Sequence, residues 1–243
     1  MGDKSKLVKE LFENTDLYLT YDYNLQIRKE TVETFTAGKN FTSILDIPSG
    51  NGSISLPLLH RTEKLTLVDI SSNMLGLAKK SIPEYQIGKV ELLNGDFFQM
   101  DFTGKSYDLV ICLGLLAHVN SPEQLLKKVA GLVKPGGFLI IQNTDSGHFY
   151  SYLIRFYLSV KNIISRQPYK LNLVKASFVE KILRDNNLEK QASYRYNQSF
   201  LGFSNLFSNK KKYDLTRGFF GNAEKNKNAS WGSDHTYLFK KVN

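Results

Sequence analysis

A glycine-rich turn and a downstream acid have the residue types and spacing of a nucleotide-binding site. Residues 44–53 read ILDIPSGNGS, an apolar segment that stops abruptly in a turn containing two glycines. Glycine lets the backbone approach a bound nucleotide where any Cβ would clash. Asp69 ends a second apolar run 17 residues after Gly52, where a carboxylate can accept hydrogen bonds from ribose hydroxyls. The alternative is that Asp69 only caps the helix that follows it.

These residues need parallel strands to position them. Three further apolar runs follow, at 90–98, 107–114 and 132–141. Continuous apolar runs are typical of strands that helices cover on both faces. We expect the glycine turn to open a helix, and Ser121-Pro122-Glu123 to begin another, because it combines an N-cap, a first-turn proline and a first-turn acid. That second helix is expected to end at Lys134, before Pro135-Gly136-Gly137 turns the chain back into the sheet.

Together these segments resemble the class I S-adenosylmethionine (SAM)-dependent methyltransferases of the small-molecule type. The resemblance covers about 42–142 and rests on five motifs: the glycine turn, Asp69, NGDF at 94–97, DLV at 108–110 and KPGG at 134–137. The turn departs from the family pattern at its first glycine, where this chain has Pro48. The resemblance implies a Rossmann-like, doubly wound α/β fold whose seven-stranded, mostly parallel sheet has an antiparallel seventh strand.

The resemblance also implies how the chain is organised. We expect one methyltransferase domain over 1–243, with N-terminal lid helices at 1–40 and C-terminal insertions. The cofactor-binding half is 42–142, and the substrate-side half is 143–243 with inserts at 145–172 and 199–232. Within the substrate-side half we expect a helix at 174–187, strand six at 191–198 and the antiparallel strand seven at 234–241.

The cofactor implied by the resemblance is SAM, whose parts need different contacts. Residues expected along the methionyl tail and the turn are Asp46, Pro48, Gly50, Gly52 and Leu113. Residues expected at the ribose and the adenine are Asp69, Ile70, Met74, Asp96 and Phe97. Residues expected in the lid are Tyr18, Tyr21, Tyr23 and Arg28, with the arginine directed at the tail carboxylate. Core packing, an ordinary turn at Asp96 and tyrosines packed on the sheet edge remain open alternatives.

A histidine after the fourth strand is the first candidate for acid–base chemistry. Phosphoethanolamine methyltransferases resemble this chain there and pair such a histidine with a lid tyrosine, which suggests that His118 acts with Tyr21. Asp145 and His148 follow strand five and are second candidates for a base. The alternatives are a structural role for His118 and a helix cap for the other two residues.

A metal ion is not expected. Ubiquinone-pathway O-methyltransferases have acidic metal ligands just before the histidine, where this chain has Leu115, Leu116 and Ala117. The sequence shows no other cluster of Asp, Glu and His suited to a divalent cation.

Positive charge is concentrated in the C-terminal third. Of the net charge of +9, residues 151–243 contribute 17 Lys and Arg against 6 Asp and Glu, a net of +11. A basic wall attracts anionic partners, so Lys210, Lys211, Lys212 and Arg217 are expected to face an anionic acceptor, with Trp231 and His235 nearby. The alternative is a solvated, lysine-rich surface.

An aromatic stretch at 149–160 continues into basic residues up to 166. We expect it to cover the acceptor pocket, and the alternative is peripheral contact with a membrane surface. No run approaches the roughly 20 apolar residues of a membrane span. The first residues lead into a charged helix, and the one cysteine, Cys112, lies mid-strand. A cytoplasmic protein is therefore expected.

The sequence thus predicts a SAM-dependent methyltransferase acting on a small-molecule acceptor. The expected acceptor atom is oxygen or nitrogen of a small anionic metabolite, such as a phosphorylated, nucleotide-linked or sugar intermediate. The alternatives are a membrane-associated lipid or quinone methyltransferase, and an RNA methyltransferase. The basic tail suits nucleic acid, but the sequence shows no motif for methylating base amino groups, so nucleic acid is not the expected partner.

Overall fold

The computed structural model describes residues 22–165, 172–198, 200 and 206–242, with only the backbone described for 160–165. The described strands are β1 Phe41–Asp46, β2 Thr62–Asp69, β3 Val90–Asn94, β4 Tyr107–Cys112, β5 Val133–Thr144, β6 Leu188–Tyr196 and β7 Asp234–Lys241. The described α-helices are α1 Asp22–Phe35, α2 Ser72–Ser81, α3 Pro122–Gly131, α4 Phe149–Ser165, α5 Ala176–Arg184 and α6 Asn209–Phe220. Short 3₁₀ helices lie at Leu56–Arg61, Glu84–Lys89, Leu115–Ala117 and Ala229–Trp231.

The seven strands form one sheet in the order β3-β2-β1-β4-β5-β7-β6. Neighbouring strands are parallel except at β7, which is antiparallel to both β5 and β6. Ile44 and Leu45 are both fully buried, and they belong to different hydrophobic clusters, one on each face of the sheet. This double burial explains the continuous apolar runs and confirms the fold class expected from the sequence.

The strand order reverses between β1 and β4, the two parallel neighbours at the centre of the sheet. In open parallel sheets, a crevice forms at such a reversal, outside the carboxyl ends of the strands. Asp46 ends β1, and Cys112 ends β4 directly before Leu113 and Gly114. The topology therefore places the glycine turn at the mouth of this crevice.

The expected helix after the glycine turn is absent from the described structure, and this prediction was wrong. Turns lead instead into the 3₁₀ helix Leu56–Arg61, which has Pro57 in its first turn. Proline has no N–H to donate and its ring clashes with the preceding turn. An α-helix running from Gly52 would place Pro57 in its interior, so only the tighter 3₁₀ turn follows.

Helix α3 ends at Gly131 rather than at Lys134, and β5 already begins at Val133. Val133 pairs with Tyr107, and the register then shifts so that Leu109 pairs with Phe138. The Pro-Gly-Gly segment is therefore an irregularity within the strand rather than the turn before it. Gly136 has a φ of 75° there, which glycine adopts without steric cost.

The C-terminal half differs from the expectation mainly at its element boundaries. The helix expected at 174–187 is Ala176–Arg184, and strand six is Leu188–Tyr196. Strand seven has the expected bounds. The connection expected at 199–232 contains α6, which packs against α1. The insert is thus partly helical, and its residues 199 and 201–205 lie outside the described part of the chain.

Candidate active site

The glycine turn is held in place by hydrogen bonds to the second strand. The amide of Ser49 donates to Val68 O at 2.9 Å, and that of Gly50 donates to Asp69 Oδ2 at 2.8 Å. Gly50 and Gly52 have φ angles of 54° and 74°. A Cβ on Gly52 would lie 2.8 Å from Leu56 Cδ1, closer than side chains normally approach. The turn therefore depends on glycine for both its conformation and its packing.

Asp69 lies at the carboxyl end of β2 and is almost completely buried. Its second oxygen, Oδ1, accepts from the amide of Ser71 at 2.9 Å. The N-cap of α2 is Ser71, whose hydroxyl accepts from Met74 N, so capping falls to this serine. Asp69 therefore holds the turn and the start of α2. Its contact with the ribose hydroxyls stays a prediction.

Asp46 is a buried acid at the end of β1. Its Oδ2 accepts from Ser55 Oγ at 2.5 Å. Burial raises the pKa of Asp46 to about 7; the hydroxyl of Ser55 lowers it, and the nearby charge of Asp69 raises it further. A carboxylate that is destabilised by burial gains stability from a cation placed beside it. The ammonium group of the SAM tail suits this position.

Buried polar atoms without partners lie around the same turn. Within the described residues, Ser49 Oγ, Ser53 Oγ and Arg28 Nε have no hydrogen-bond partner. Buried polar groups are normally hydrogen-bonded, so these atoms indicate a polar ligand. Arg28 Nη1 and Nη2 lie 3.7 and 3.6 Å from the position of a Cβ on Gly114, next to the end of β4. The residues present therefore fit a cofactor with an amino-acid tail.

The residues expected around the adenine differ in exposure. Met74 and Phe97 are buried in the hydrophobic core, whereas Ile70 is partly exposed. Asp96 Oδ1 accepts from the amide of Phe98 at 3.0 Å, which makes a local turn after β3. Met74 and Phe97 thus pack in the core, and Asp96 stabilises a turn. The adenine contacts of these four residues stay predictions.

A lysine that sequence reasoning missed braces the loop after Asp96. Lys128 Nζ donates to the carbonyls of Phe97 at 2.7 Å, Phe98 at 3.3 Å and Met100 at 3.0 Å. It also lies 4.6 Å from the centroid of the Phe97 ring. Lys128 is on α3, so only the packing of that helix against the loop reveals its role.

The segment that contains His118 is fixed from both sides. His118 caps the 3₁₀ helix Leu115–Ala117 and is half-buried. The backbone amide of Asn172 donates to Ala117 O at 2.9 Å, and its side-chain amide donates to Val119 O. The backbone on either side of His118 is therefore held in place, six residues after the end of β4. Its role as a base stays a prediction, and its expected partner, Tyr21, lies outside the described residues, as does the lid residue Tyr18.

Asp145 and His148 have structural partners. Asp145 Oδ1 accepts from the amides of Gly147 at 3.0 Å and Ala176 at 3.1 Å. His148 Nδ1 accepts from the amide of Tyr150 at 3.2 Å, and Nε2 lies 2.9 Å from Ser230 O. A neutral ring with its proton on Nε2 satisfies both contacts of His148. This geometry favours the cap and turn alternative for both residues over a catalytic base.

The cations expected at the acceptor site are partly engaged elsewhere. Arg217 forms an ion pair with Glu30 of α1, and Lys212 is buried with its Nζ 5.6 Å from the Tyr23 ring. Lys210 and Lys211 are exposed. His235 is buried, and burial together with Arg195 lowers its pKa to about 3. It is therefore neutral and does not add to the basic surface.

Cys112 is buried as expected, and burial raises the pKa of its thiol. The described ranges contain no group of three or more His, Cys, Asp or Glu side chains suited to a metal ion. In the same ranges, no helix combines the length and hydropathy needed to cross a membrane.

The chain is similar to known methyltransferases. Residues 45–141 match the family model for the methyltransferase domain. The chain is 31% identical over 116 residues to ubiquinone biosynthesis O-methyltransferase of Coxiella burnetii, a match that covers 45% of this chain and 46% of that protein. It is 28% identical over 175 residues to demethylmenaquinone methyltransferase of Oceanobacillus iheyensis, covering 67% of this chain and 72% of that protein. The chain thus matches less than half the length of the first relative.

A solved structure confirms the fold. Magnesium protoporphyrin IX methyltransferase from Synechocystis, solved with bound S-adenosylhomocysteine, superposes with a TM-score of 0.65 at 17% identity, covering 99% of this chain and 100% of that chain. The strand order and the glycine turn are those of the class I SAM-dependent methyltransferase fold, and the matched segment contains that turn. This is the class that the sequence resembles.

Proposed function

We propose that the protein transfers the methyl group of SAM to an oxygen of a small acceptor that contains an apolar ring. The observation that supports this acceptor is the exposed face of α4. Large apolar side chains that are between 40% and 73% exposed on this helix are Phe149, Tyr152, Leu153, Phe156 and Tyr157. A contiguous exposed apolar surface is typical of a binding site.

The position of α4 supports a role in acceptor binding. The helix begins five residues after Thr144, which ends β5 at the edge of the sheet that also holds Asp46 and Asp69. Phe149, its first residue, contacts the ring of Trp231 with their centroids 5.4 Å apart. Phe149 follows β5 and Trp231 precedes β7, and both lie at the edge of the sheet where the glycine turn lies. An acceptor that packs against these rings is therefore close to the proposed methyl donor.

The relatives support the same class of acceptor. Their names assign one to ubiquinone biosynthesis as an O-methyltransferase and the other to demethylmenaquinone. Both names refer to ring compounds of the quinone class. An acceptor of this kind matches the aromatic face of α4 better than a small polar metabolite does.

Methyl transfer to a hydroxyl needs alignment and removal of a proton. Bound SAM supplies a methyl group that is already activated by its sulfonium. The chain's own task is to align donor and acceptor and to exclude water, and a base is required because a hydroxyl loses its proton in the step. His118 is the proposed base, since it follows β4 in a loop whose neighbouring carbonyls, of Ala117 and Val119, accept from Asn172.

An anionic acceptor is the second candidate. It is supported by the net charge of +11 on residues 151–243 and by the exposed Lys210 and Lys211. The ion pair of Arg217 with Glu30 removes one expected cation from the acceptor side. Nucleic acid has only this positive charge in its favour.

Peripheral contact with a membrane belongs to the same proposal. Arg155 is exposed among the aromatic residues of α4, and its guanidinium carbon lies 6.0 Å from the centroid of the Tyr152 ring. Aromatic and basic side chains on one helix are typical of helices at the membrane interface. An acceptor with an apolar tail would be reached there.

The test is an incubation with methyl-labelled SAM and three acceptor pools. These are hydroxylated aromatic rings with an apolar tail, phosphorylated and nucleotide-linked metabolites, and total RNA. Label in the ring compounds supports the proposal, whereas label only in the anionic metabolites or only in RNA overturns it in favour of that class. Absence of labelled product in all three pools, despite measured SAM binding, also overturns it.

A pair of variants tests the role of α4. Phe156→Ser removes a side chain that is 73% exposed on α4 and is expected to raise the acceptor KM without changing the KM for SAM. The matched control is Tyr85→Ser, which removes an aromatic ring that is 85% exposed on the 3₁₀ helix Glu84–Lys89. Equal effects of the two variants would contradict an acceptor role for α4.

A further inference from the structure

We propose that Gln198 is a positioning residue that orients Arg28 toward the carboxylate of the cofactor's amino-acid tail. The inference rests on the proposed function, because it requires SAM as the ligand. It adds a residue from the substrate-side half of the chain to the cofactor site. Gln198 lies two residues after β6, and 170 positions separate it from Arg28 in the sequence.

Gln198 joins the first helix to the seventh strand. Its amide N–H donates to Asp234 Oδ2 at 2.9 Å, and its side-chain Nε2 donates to Asp234 Oδ1 at 3.1 Å. Its side-chain Oε1 accepts from Arg28 Nη2 at 2.9 Å. Its backbone carbonyl accepts from Tyr23 Oη and from Asn24 Nδ2. Every polar group of Gln198 is therefore engaged, with α1 on one side and β7 on the other.

The partners fix the orientation of the Gln198 amide. A carboxylate only accepts and a guanidinium only donates, so the NH₂ group must face Asp234 and the oxygen must face Arg28. Asp234 is itself fixed, because Thr144 Oγ1 donates to its Oδ1 at 2.5 Å and Ser233 Oγ donates to its Oδ2 at 3.3 Å. Asp234 is 2% exposed. The orientation of Arg28 is thus set by a rigid acid at the start of β7.

The arginine held in this way still has its charge available. Its guanidinium lies over Gly114, beside the crevice between β1 and β4. Within the described residues it forms no ion pair, and its buried Nε has no hydrogen-bond partner. A carboxylate ligand satisfies both the charge and the donors, since arginine binds carboxylates with two parallel N–H donors.

The side-chain amide of Gln198 lies between Arg28 and Asp234 and keeps the two from contacting each other directly. A direct contact between these two residues would neutralise the guanidinium and compete with a carboxylate ligand. The neutral amide transmits the orientation from Asp234 while leaving the positive charge to the ligand. This arrangement suits a site that must bind and release an anionic group.

The experiment compares two ligands that differ in the amino-acid tail. S-adenosylhomocysteine has the tail, and methylthioadenosine has the same nucleoside without it. Gln198→Leu is expected to weaken S-adenosylhomocysteine binding at least about ten-fold, as for a lost hydrogen bond to a charged group. Its affinity for methylthioadenosine is expected to stay within about two-fold. Calorimetric titration gives both dissociation constants, and Arg28→Met gives the effect of losing the cation itself.

The matched control is Gln191→Leu, because Gln191 is an exposed glutamine of β6 whose side chain contacts only Glu189 O at 3.4 Å among the hydrogen bonds described. It is expected to change neither affinity. If Gln198→Leu does not fold, Gln198→Met replaces it. Methionine keeps the length of the side chain but cannot donate to Asp234 and accepts only weakly from Arg28, so this variant is expected to lose affinity for S-adenosylhomocysteine alone.

Equal loss of both ligands would show that Gln198 only supports the fold, and unchanged affinity for both would show that Arg28 does not need it. Either result overturns the inference. Failure of the unmodified protein to bind either ligand overturns the proposed function instead.

Discussion

Asp69 accepts a hydrogen bond from the backbone amide of Gly50 at 2.8 Å. The acid at the end of β2 therefore fixes the turn that follows β1, in addition to its predicted contact with the ribose. One carboxylate therefore joins the glycine turn to the predicted ribose contact.

Asp69→Asn is predicted to weaken S-adenosylhomocysteine binding by about 10- to 100-fold, because the charged acceptor is lost from both contacts. Calorimetric titration measures the affinity, and hydrogen exchange of the Gly50 amide reports on the turn. The control is Asp101→Asn, since Asp101 also accepts from a backbone amide, that of Thr103 at 2.8 Å, on an exposed loop. Exchange at Gly50 that does not change would contradict the coupling.

Cofactor affinity is predicted to rise with pH through about 7, the raised pKa of buried Asp46. Only the carboxylate form attracts the ammonium of the tail, so protonation weakens binding. Titrations of S-adenosylhomocysteine at several pH values test this, and Asp46→Asn is expected to remove the dependence. Ser55→Ala is expected to move the midpoint upward, because the Ser55 hydroxyl lowers the pKa of Asp46.

The same carboxyl is predicted to make the free protein less stable as pH rises. The folded state holds the Asp46 proton more tightly than the unfolded state between the usual pKa of 3.8 and about 7. The contribution of this group to the free energy of unfolding therefore falls across that interval and is constant above it. Denaturant unfolding of Asp46→Asn and of the unmodified protein, at pH values inside and above the interval, measures this contribution of Asp46 to the free energy of unfolding. A difference that does not change with pH would contradict the shift.

Gly52→Ala is predicted to lower both stability and cofactor affinity. The added Cβ would lie 2.8 Å from Leu56 Cδ1, and the φ of 74° is unfavourable for alanine. We expect a loss of about 1–3 kcal/mol of unfolding free energy. Gly76→Ala in α2 is the matched control, because nothing lies within 4 Å of its added Cβ. That control is expected to be stabilising by about 0.5–1 kcal/mol, and urea unfolding measures both.

Lys128→Met is predicted to weaken the binding of S-adenosylhomocysteine and of methylthioadenosine to the same degree. Lys128 braces the loop after Asp96 through three carbonyls, and both ligands contain the adenine expected there. This result differs from the ligand-selective loss expected for Gln198→Leu. Lys127→Met, which removes an exposed pair with Glu123 at 2.7 Å, is expected to leave both affinities unchanged. A selective loss on Lys128→Met would contradict the adenine assignment.

His118→Gln is predicted to lower kcat by about 10²- to 10⁴-fold, as for loss of a general base, with no change in S-adenosylhomocysteine affinity. His148→Gln is expected to leave kcat nearly unchanged, because both of its ring nitrogens have structural contacts. Steady-state kinetics with the identified acceptor measure both. A larger kcat effect at His148 would exchange the roles of the two histidines.

The strands and the glycine turn could be predicted because the residues that indicate them are neighbours in the sequence. Apolar runs mark β1 to β5, and glycine marks the turn. The predicted α-helix after the turn was wrong because one residue, Pro57, prevents it. Lys128 and Gln198 could not have been found in this way, because their partners lie on other elements. No local pattern shows that Gln198 contacts Arg28, 170 positions earlier.

The antiparallel direction of β7 has a consequence for protein synthesis. Because β7 is antiparallel to its neighbours β5 and β6, its first residue, Asp234, lies at the edge of the sheet where the glycine turn lies. A ribosome must therefore have translated past Asp234 before the proposed anchor of Arg28 exists. A nascent chain that stops short of this strand has the whole glycine turn but lacks the acid proposed to orient Arg28. We therefore expect newly made chains to acquire tight cofactor binding only once β7 has entered the sheet.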